Sequence, residues 1–181
     1  MINISYFSVV IAISIVWIFI RVLFFIKSKE FVLKRELELL LVYVCIIVIA
    51  RFTFFPFGTV NGKIQPLIFD TAQIFPFRTN LIPFVNLFDY PSAKDIVINV
   101  LGNIAMFIPL GIVWPIVYKK LDTPARAILT GVGVSLSIEI LQLPFYTRVS
   151  DVDDLILNSL GYIIGYGLLM IIKKVKEKRS I

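Results

Sequence analysis

Glu139 and Gln142 stand three residues apart inside an apolar run, SIEILQ. A carboxylate and an amide at that spacing share one face of a helix. A short polar connector follows with Arg148, Asp151, Asp153 and Asp154, and Asn158 then opens another apolar run. Upstream, Arg51, Arg78, Asn80, Asn99 and Asn103 repeat the theme of single polar groups in apolar surroundings. Two kinds of chemistry fit these residue types. Glu139 with Asp153 or Asp154 suits a hard divalent cation that activates water, or Glu139 suits a general base on its own. The guanidinium groups of Arg51, Arg78 and Arg148 suit phosphate or pyrophosphate oxygens, while Asn80, Asn99, Asn103, Gln142, Asp151 and Asn158 suit sugar or headgroup hydroxyls. The chain has no histidine, so the commonest general base and zinc ligand is missing. These residues require no cofactor; a divalent cation is the one candidate.

Each feature also has a plainer account. The asparagines suit interhelical hydrogen bonds. Glu139 suits an ion pair with Arg51 or Arg148. The aspartates suit solvated loop charges, with Asp154 as the N-cap of the last run. A carboxylate inside a bilayer is costly, by a few kcal/mol on insertion scales, which makes Glu139 the hardest to dismiss.

The elements that must position these groups are membrane spans. The 181 residues are 59% hydrophobic and 17% charged, with a mean hydropathy of +0.92. Soluble domains run nearer half apolar and a quarter charged. Five apolar runs cover residues 4–26, 37–55, 96–118, 127–145 and 155–172, each long enough to cross a bilayer. The expected fold is an all-α integral membrane bundle of about five transmembrane helices. A division follows into a first helix with basic connector (1–36), a main transmembrane domain (37–172) and a basic tail (173–181). The first run lacks a basic stretch before it and a small-residue cleavage site after it, and is expected to stay as a span. Arg21, near its end, can snorkel to headgroups. Cys45 is the single cysteine, so no intrachain disulfide forms. The net charge of +6 reads as basic loops facing anionic lipid rather than as a nucleic-acid surface. Gly161 and Gly165 form a small-xxx-small packing pair. Trp17, Trp114 and most tyrosines read as interfacial anchors.

Lys and Arg cluster after the first run, after the third, and at the C-terminus. With five crossings these places share one side, which the positive-inside rule makes cytoplasmic. The N-terminus is then extracytoplasmic and the C-terminus cytoplasmic. In that frame Arg51, Asn99, Asn103, Glu139, Gln142, Asp154 and Asn158 fall at one level, the outer leaflet. Ser135 lies one turn deeper on the Glu139 face. A single polar cavity, open outward and lined by the second to fifth helices, is the expected site. The segment 56–95 is too apolar for a free loop and too rich in proline for a spanning helix. Its aromatic residues, among them Phe57, Phe69, Phe75, Phe77, Phe84, Phe88 and Tyr90, predict re-entrant or interfacial pieces that cover the cavity.

Four pieces carry a family likeness: FRTNLIPF at 77–84, NVLGNIAMFIPLG at 99–111, SIEILQ at 137–142 and DVDDLILNSLGYIIG at 151–165. With Arg51 in RFTFFPF, their order and spacing resemble the VanZ-like family from the second run onward. The family positions map onto Arg51, Asn80, Pro83, Asn99, Asn103, Pro109, Gly111, Glu139, Gln142, Asp151, Asp153, Asp154, Asn158 and Gly161. The resemblance implies a bacterial multi-pass cell-membrane protein linked to teicoplanin resistance and lowered lipoglycopeptide susceptibility. No catalytic mechanism comes with it. The leading expectation is a protein that binds or modifies a cell-envelope lipid, glycolipid or lipid-linked cell-wall precursor. The alternative is an intramembrane hydrolase or transferase using Glu139 with Asp153 or Asp154. A proton- or cation-coupled transporter ranks third, because the inner halves of the helices carry no matching polar residues.

Overall fold

The computed structural model describes residues 1–56, 58–85 and 92–179. Among these residues five helices are long and apolar enough to span a membrane: α1 (Tyr6–Ser28), α2 (Leu33–Phe54), α3 (Ala93–Val117), α4 (Pro124–Gln142) and α5 (Val152–Arg179). The chain is a multi-pass membrane protein. Four short strands join them: β1 (Ile2–Ile4), β2 (Leu67–Phe69), β3 (Thr79–Asn80) and β4 (Ser150–Asp151). The apolar runs locate every helix, but the ends shift. α2 begins within the basic connector, and α5 continues through most of the basic tail, so residues 173–179 are helix rather than a separate segment. α4 stops at Gln142, leaving 143–145 in a turn.

α3 and α5 make the most extensive helix pair. They approach so closely because glycines face the partner backbone. A Cβ on Gly161 or Gly165 would run into the carbonyls of Ile104 or Ile108, and one on Gly111 into that of Tyr162. The small-residue pair is thus a packing device. Around it sit Phe107, Leu110, Tyr162 and Leu169, all buried, with α4 and α2 closing the sides. Tyr162 and Tyr166 belong to this core and are not interfacial anchors, because the α5 face that carries Gly161 and Gly165 also carries them.

α1 buries no residue of its own and stands at the edge of the bundle. Ser14 and Tyr43 share a hydrogen bond of 2.6 Å across α1 and α2, and Trp17 packs on Tyr43. Arg21 forms an ion pair with Glu36 of α2.

The segment between α2 and α3 forms no re-entrant helix among the described residues. Its prolines break helix, and its two strands find partners elsewhere. β2 pairs antiparallel with β1, Ile2 opposite Phe69 and Ile4 opposite Leu67. β3 pairs parallel with β4, Thr79 opposite Ser150 and Asn80 opposite Asp151. These pairings lay the segment across the end of the bundle where α2 and α4 finish and α3 and α5 start. Phe57, Phe88 and Tyr90 lie outside the described residues.

Candidate functional site

The α4–α5 turn is held from three directions. Glu139, 4% exposed, accepts the Asp151 N–H at 2.8 Å through Oε2, and the Ser150 hydroxyl stands beside the same carboxylate. Asp151 Oδ1 accepts the Asp153 N–H at 2.9 Å, which makes Asp151 the residue that caps α5. Asn80 of β3 donates its amide to both Asp151 oxygens at 3.1 Å, fixing the β3–β4 pairing through side chains as well as backbone. The role expected of Asp154 is therefore filled by Asp151. Asp154 sits one turn further on and accepts the Asn103 amide at 2.6 Å, linking α5 to α3.

Asp153 is buried and accepts the Phe84 backbone N–H at 2.8 Å. Phe84 has φ 64°, a left-handed conformation that costs a bulky L-residue roughly 1–2 kcal/mol. A hydrogen bond to a carboxylate is worth about 1.5–3 kcal/mol and offsets it. Deeper in the bundle, Asn158 donates to Ser135 Oγ at 3.2 Å, with both side chains almost wholly buried. Gln142 donates to the Thr53 carbonyl at 2.6 Å, joining α4 to the end of α2.

The arginines do not pair with these acids. Arg51 donates to the Phe55 and Pro56 carbonyls at 3.4 and 2.8 Å, satisfying the C-terminal end of its own helix. Arg148 donates Nε to the Phe54 carbonyl at 2.8 Å. Burial lowers its affinity for its proton below the usual guanidinium range; Asp154 opposes this shift and Arg51 adds to it. Arg78 lies over the Tyr146 ring, 4.2 Å from its centroid, and donates to the Tyr146 carbonyl at 2.8 Å. No ion pair joins Glu139 to Arg51 or Arg148 among the described residues. Asn99 is half-buried, and no hydrogen bond among the described residues ties it to the cluster.

An open polar cavity is not what these side chains line. Glu139, Gln142, Asn103, Asp153 and Asn158 are each at most 5% exposed and pack on one another and on backbone. Their hydrogen bonds go to backbone groups of Asp151, Thr53 and Phe84 and to the side chains of Asp154 and Ser135. The satisfaction is incomplete, and one-sided. Buried and without a hydrogen-bond partner are four acceptors, Glu139 Oε1, Gln142 Oε1, Asp153 Oδ2 and Asn158 Oδ1, and one donor at this end of the bundle, Arg148 Nη2. Leaving such a group unmade costs about 1–3 kcal/mol each, so a run of them calls for a partner: ordered water, an ion or a ligand. A set of acceptors suits a ligand rich in hydroxyl or ammonium donors. No group of three or more His, Cys, Asp or Glu side chains that could hold a metal ion is found among the described residues.

Sequence reading did not find the backbone partners. The carbonyls of Thr53 and Phe54 and the N–H groups of Phe84 and Asp151 carry no residue-type signal. The proximity of RTN in 78–80 to the acidic turn, set by the β3–β4 register, was equally invisible.

The VanZ/LLP1 family model matches residues 40–173. No curated protein and no solved structure matches the chain. The matched span covers the core of four helices and the whole polar network, and leaves out α1.

Proposed function

We propose, since the chain belongs to the VanZ/LLP1 family, that its polar network is an extracytoplasmic site that binds or modifies a cell-envelope lipid or glycolipid. Protection against teicoplanin-type glycopeptides and lipoglycopeptides follows when that lipid is hidden, altered or redistributed. The observation that carries this reading is the set of four buried acceptors without partners at one end of a membrane-spanning bundle. Sugar and glycerol hydroxyls, and ammonium groups, are the donors such a set selects. The orientation rests on charge. Lys27, Lys29, Lys119, Lys120, Lys173 and Lys174 gather at the end opposite the network, the end the positive-inside rule assigns to the cytoplasm.

A hydrolase or transferase using Glu139 with Asp153 or Asp154 draws on the same residues. No group of three or more His, Cys, Asp or Glu side chains supports its metal-assisted form among the described residues, and its other form uses Glu139 as a general base. A transport path finds no support below Ser135 and Asn158, where Phe107, Leu110, Tyr162 and Leu169 fill the bundle.

Expression in a teicoplanin-susceptible bacterium tests the reading, with lipids analysed by mass spectrometry. Raised teicoplanin tolerance is expected. A lipid species that appears or disappears only when Glu139 is present would assign chemistry; tolerance with an unchanged lipidome would assign binding. Unchanged susceptibility would sink the protective role.

A further inference from the structure

We infer that one hydrocarbon chain of a phosphate-bearing membrane lipid seats in the apolar groove between α1 and α4, with the phosphate held at Arg148. The inference rests on the lipid reading above and adds where the chain lies and what charge the head carries. The groove has a volume of ≈ 570 Å³ and is lined by apolar side chains, including Val9 and Ile13 of α1, Ala50 and Phe54 of α2, Leu141 of α4, and Phe145. The β1–β2 pair contributes Ile4, Leu67 and Phe69 to it and closes it at the polar end of the bundle.

Within a bilayer, apolar surface alone gives no preference between this groove and bulk lipid, because both are hydrocarbon. Selection must come from the head. Arg148 is placed for that. Its backbone N–H donates to the Phe145 carbonyl at 2.9 Å and its Nε to the Phe54 carbonyl at 2.8 Å, so the residue is anchored beside the groove through two lining residues, the guanidinium through Phe54. Its Nη2 is buried and unpartnered. Arg51 lies near enough to disfavour its charge, and its guanidinium stands 5.9 Å from the Tyr6 ring centroid at the start of α1. Two neighbouring guanidinium groups, one with an unused donor, at the end of an apolar groove are complementary to a phosphate on a chain. Glycerol or sugar hydroxyls on that phosphate would then meet the free acceptors of the network.

The test uses the full chain in phosphatidylcholine nanodiscs containing phosphatidylglycerol with a photoactivatable diazirine in one chain. After irradiation, adducts are mapped by mass spectrometry. Adducts are expected to concentrate on Val9, Ile13, Leu141 and Phe145, and to fall when unlabelled phosphatidylglycerol, but not extra phosphatidylcholine, competes. Leu141→Trp, which fills the groove, should reduce them severalfold, and Arg148→Gln should abolish the headgroup preference. Adducts spread evenly over the lipid-facing residues of α1 and α5, or equal competition by both lipids, would overturn the inference. Loss of groove adducts with protection still dependent on Glu139 would remove this inference and leave the proposed function standing. Groove adducts without any Glu139-dependent protection would do the reverse.

Discussion

Glu139 uses one carboxylate oxygen to hold the α4–α5 turn and leaves the other unpartnered in the interior. The two oxygens predict different outcomes for two substitutions. Glu139→Ala removes the acceptor of the Asp151 N–H and should destabilise the protein by about 1–3 kcal/mol. Glu139→Gln keeps an acceptor in place and should cost less, so function and fold can be separated. Thermal unfolding in detergent reads both. Asp154 gives a second case at this scale. Asp154→Ala strands the buried Asn103 amide and should lower the unfolding temperature, whereas a residue acting only as an exposed cap would show little change. The sequence made Glu139, Gln142, Asn103 and Asn158 legible because a polar side chain in an apolar run has few explanations. It misassigned the cap, since three aspartates in four positions, 151, 153 and 154, look alike until the first turn of α5 is placed.

At the scale of elements, the α3–α5 contact sets the geometry of the site, since Asn103 and Asp154 meet only where those helices touch. Gly161→Ala puts a methyl into the Ile104 carbonyl and should cost roughly 1–3 kcal/mol through overpacking. Gly167→Ala, where nothing lies within 4 Å, should be neutral or gain about 1 kcal/mol from helix propensity. Equal effects from the two would argue against close α3–α5 packing. Both helices, and the glycine spacing on α5, were readable from sequence. The β3–β4 register was not, because two-residue strands leave no periodic signal, and it is this register that brings Asn80 to Asp151.

For the whole molecule, the bundle divides into a tightly packed core of α2–α5 and a peripheral α1. Removing residues 1–29 deletes no buried side chain from a helix; it takes Lys27 and Lys29 but leaves Lys34 and Arg35 in the first turn of α2 as basic charges at that end. The truncated chain should still fold with its orientation unchanged, and should lose the wall of the apolar groove. Orientation itself can be read by thiol labelling after Cys45→Ala. Lys63→Cys, exposed at the network end, should react with a membrane-impermeant maleimide in intact cells, and Lys178→Cys only after lysis. The reverse pattern would place the site in the cytoplasm. Hydropathy and charge bias made the number of spans and their expected direction readable. The shape of the end cap was not, because it is made by backbone pairing between segments far apart in the chain.

Teicoplanin susceptibility of cells expressing Glu139→Gln, compared with the unaltered chain at matched membrane abundance, bears most directly on the network as the seat of function. The account predicts that Glu139→Gln loses protection, together with Asp153→Asn and Asn103→Ala. Full protection from all three would contradict it.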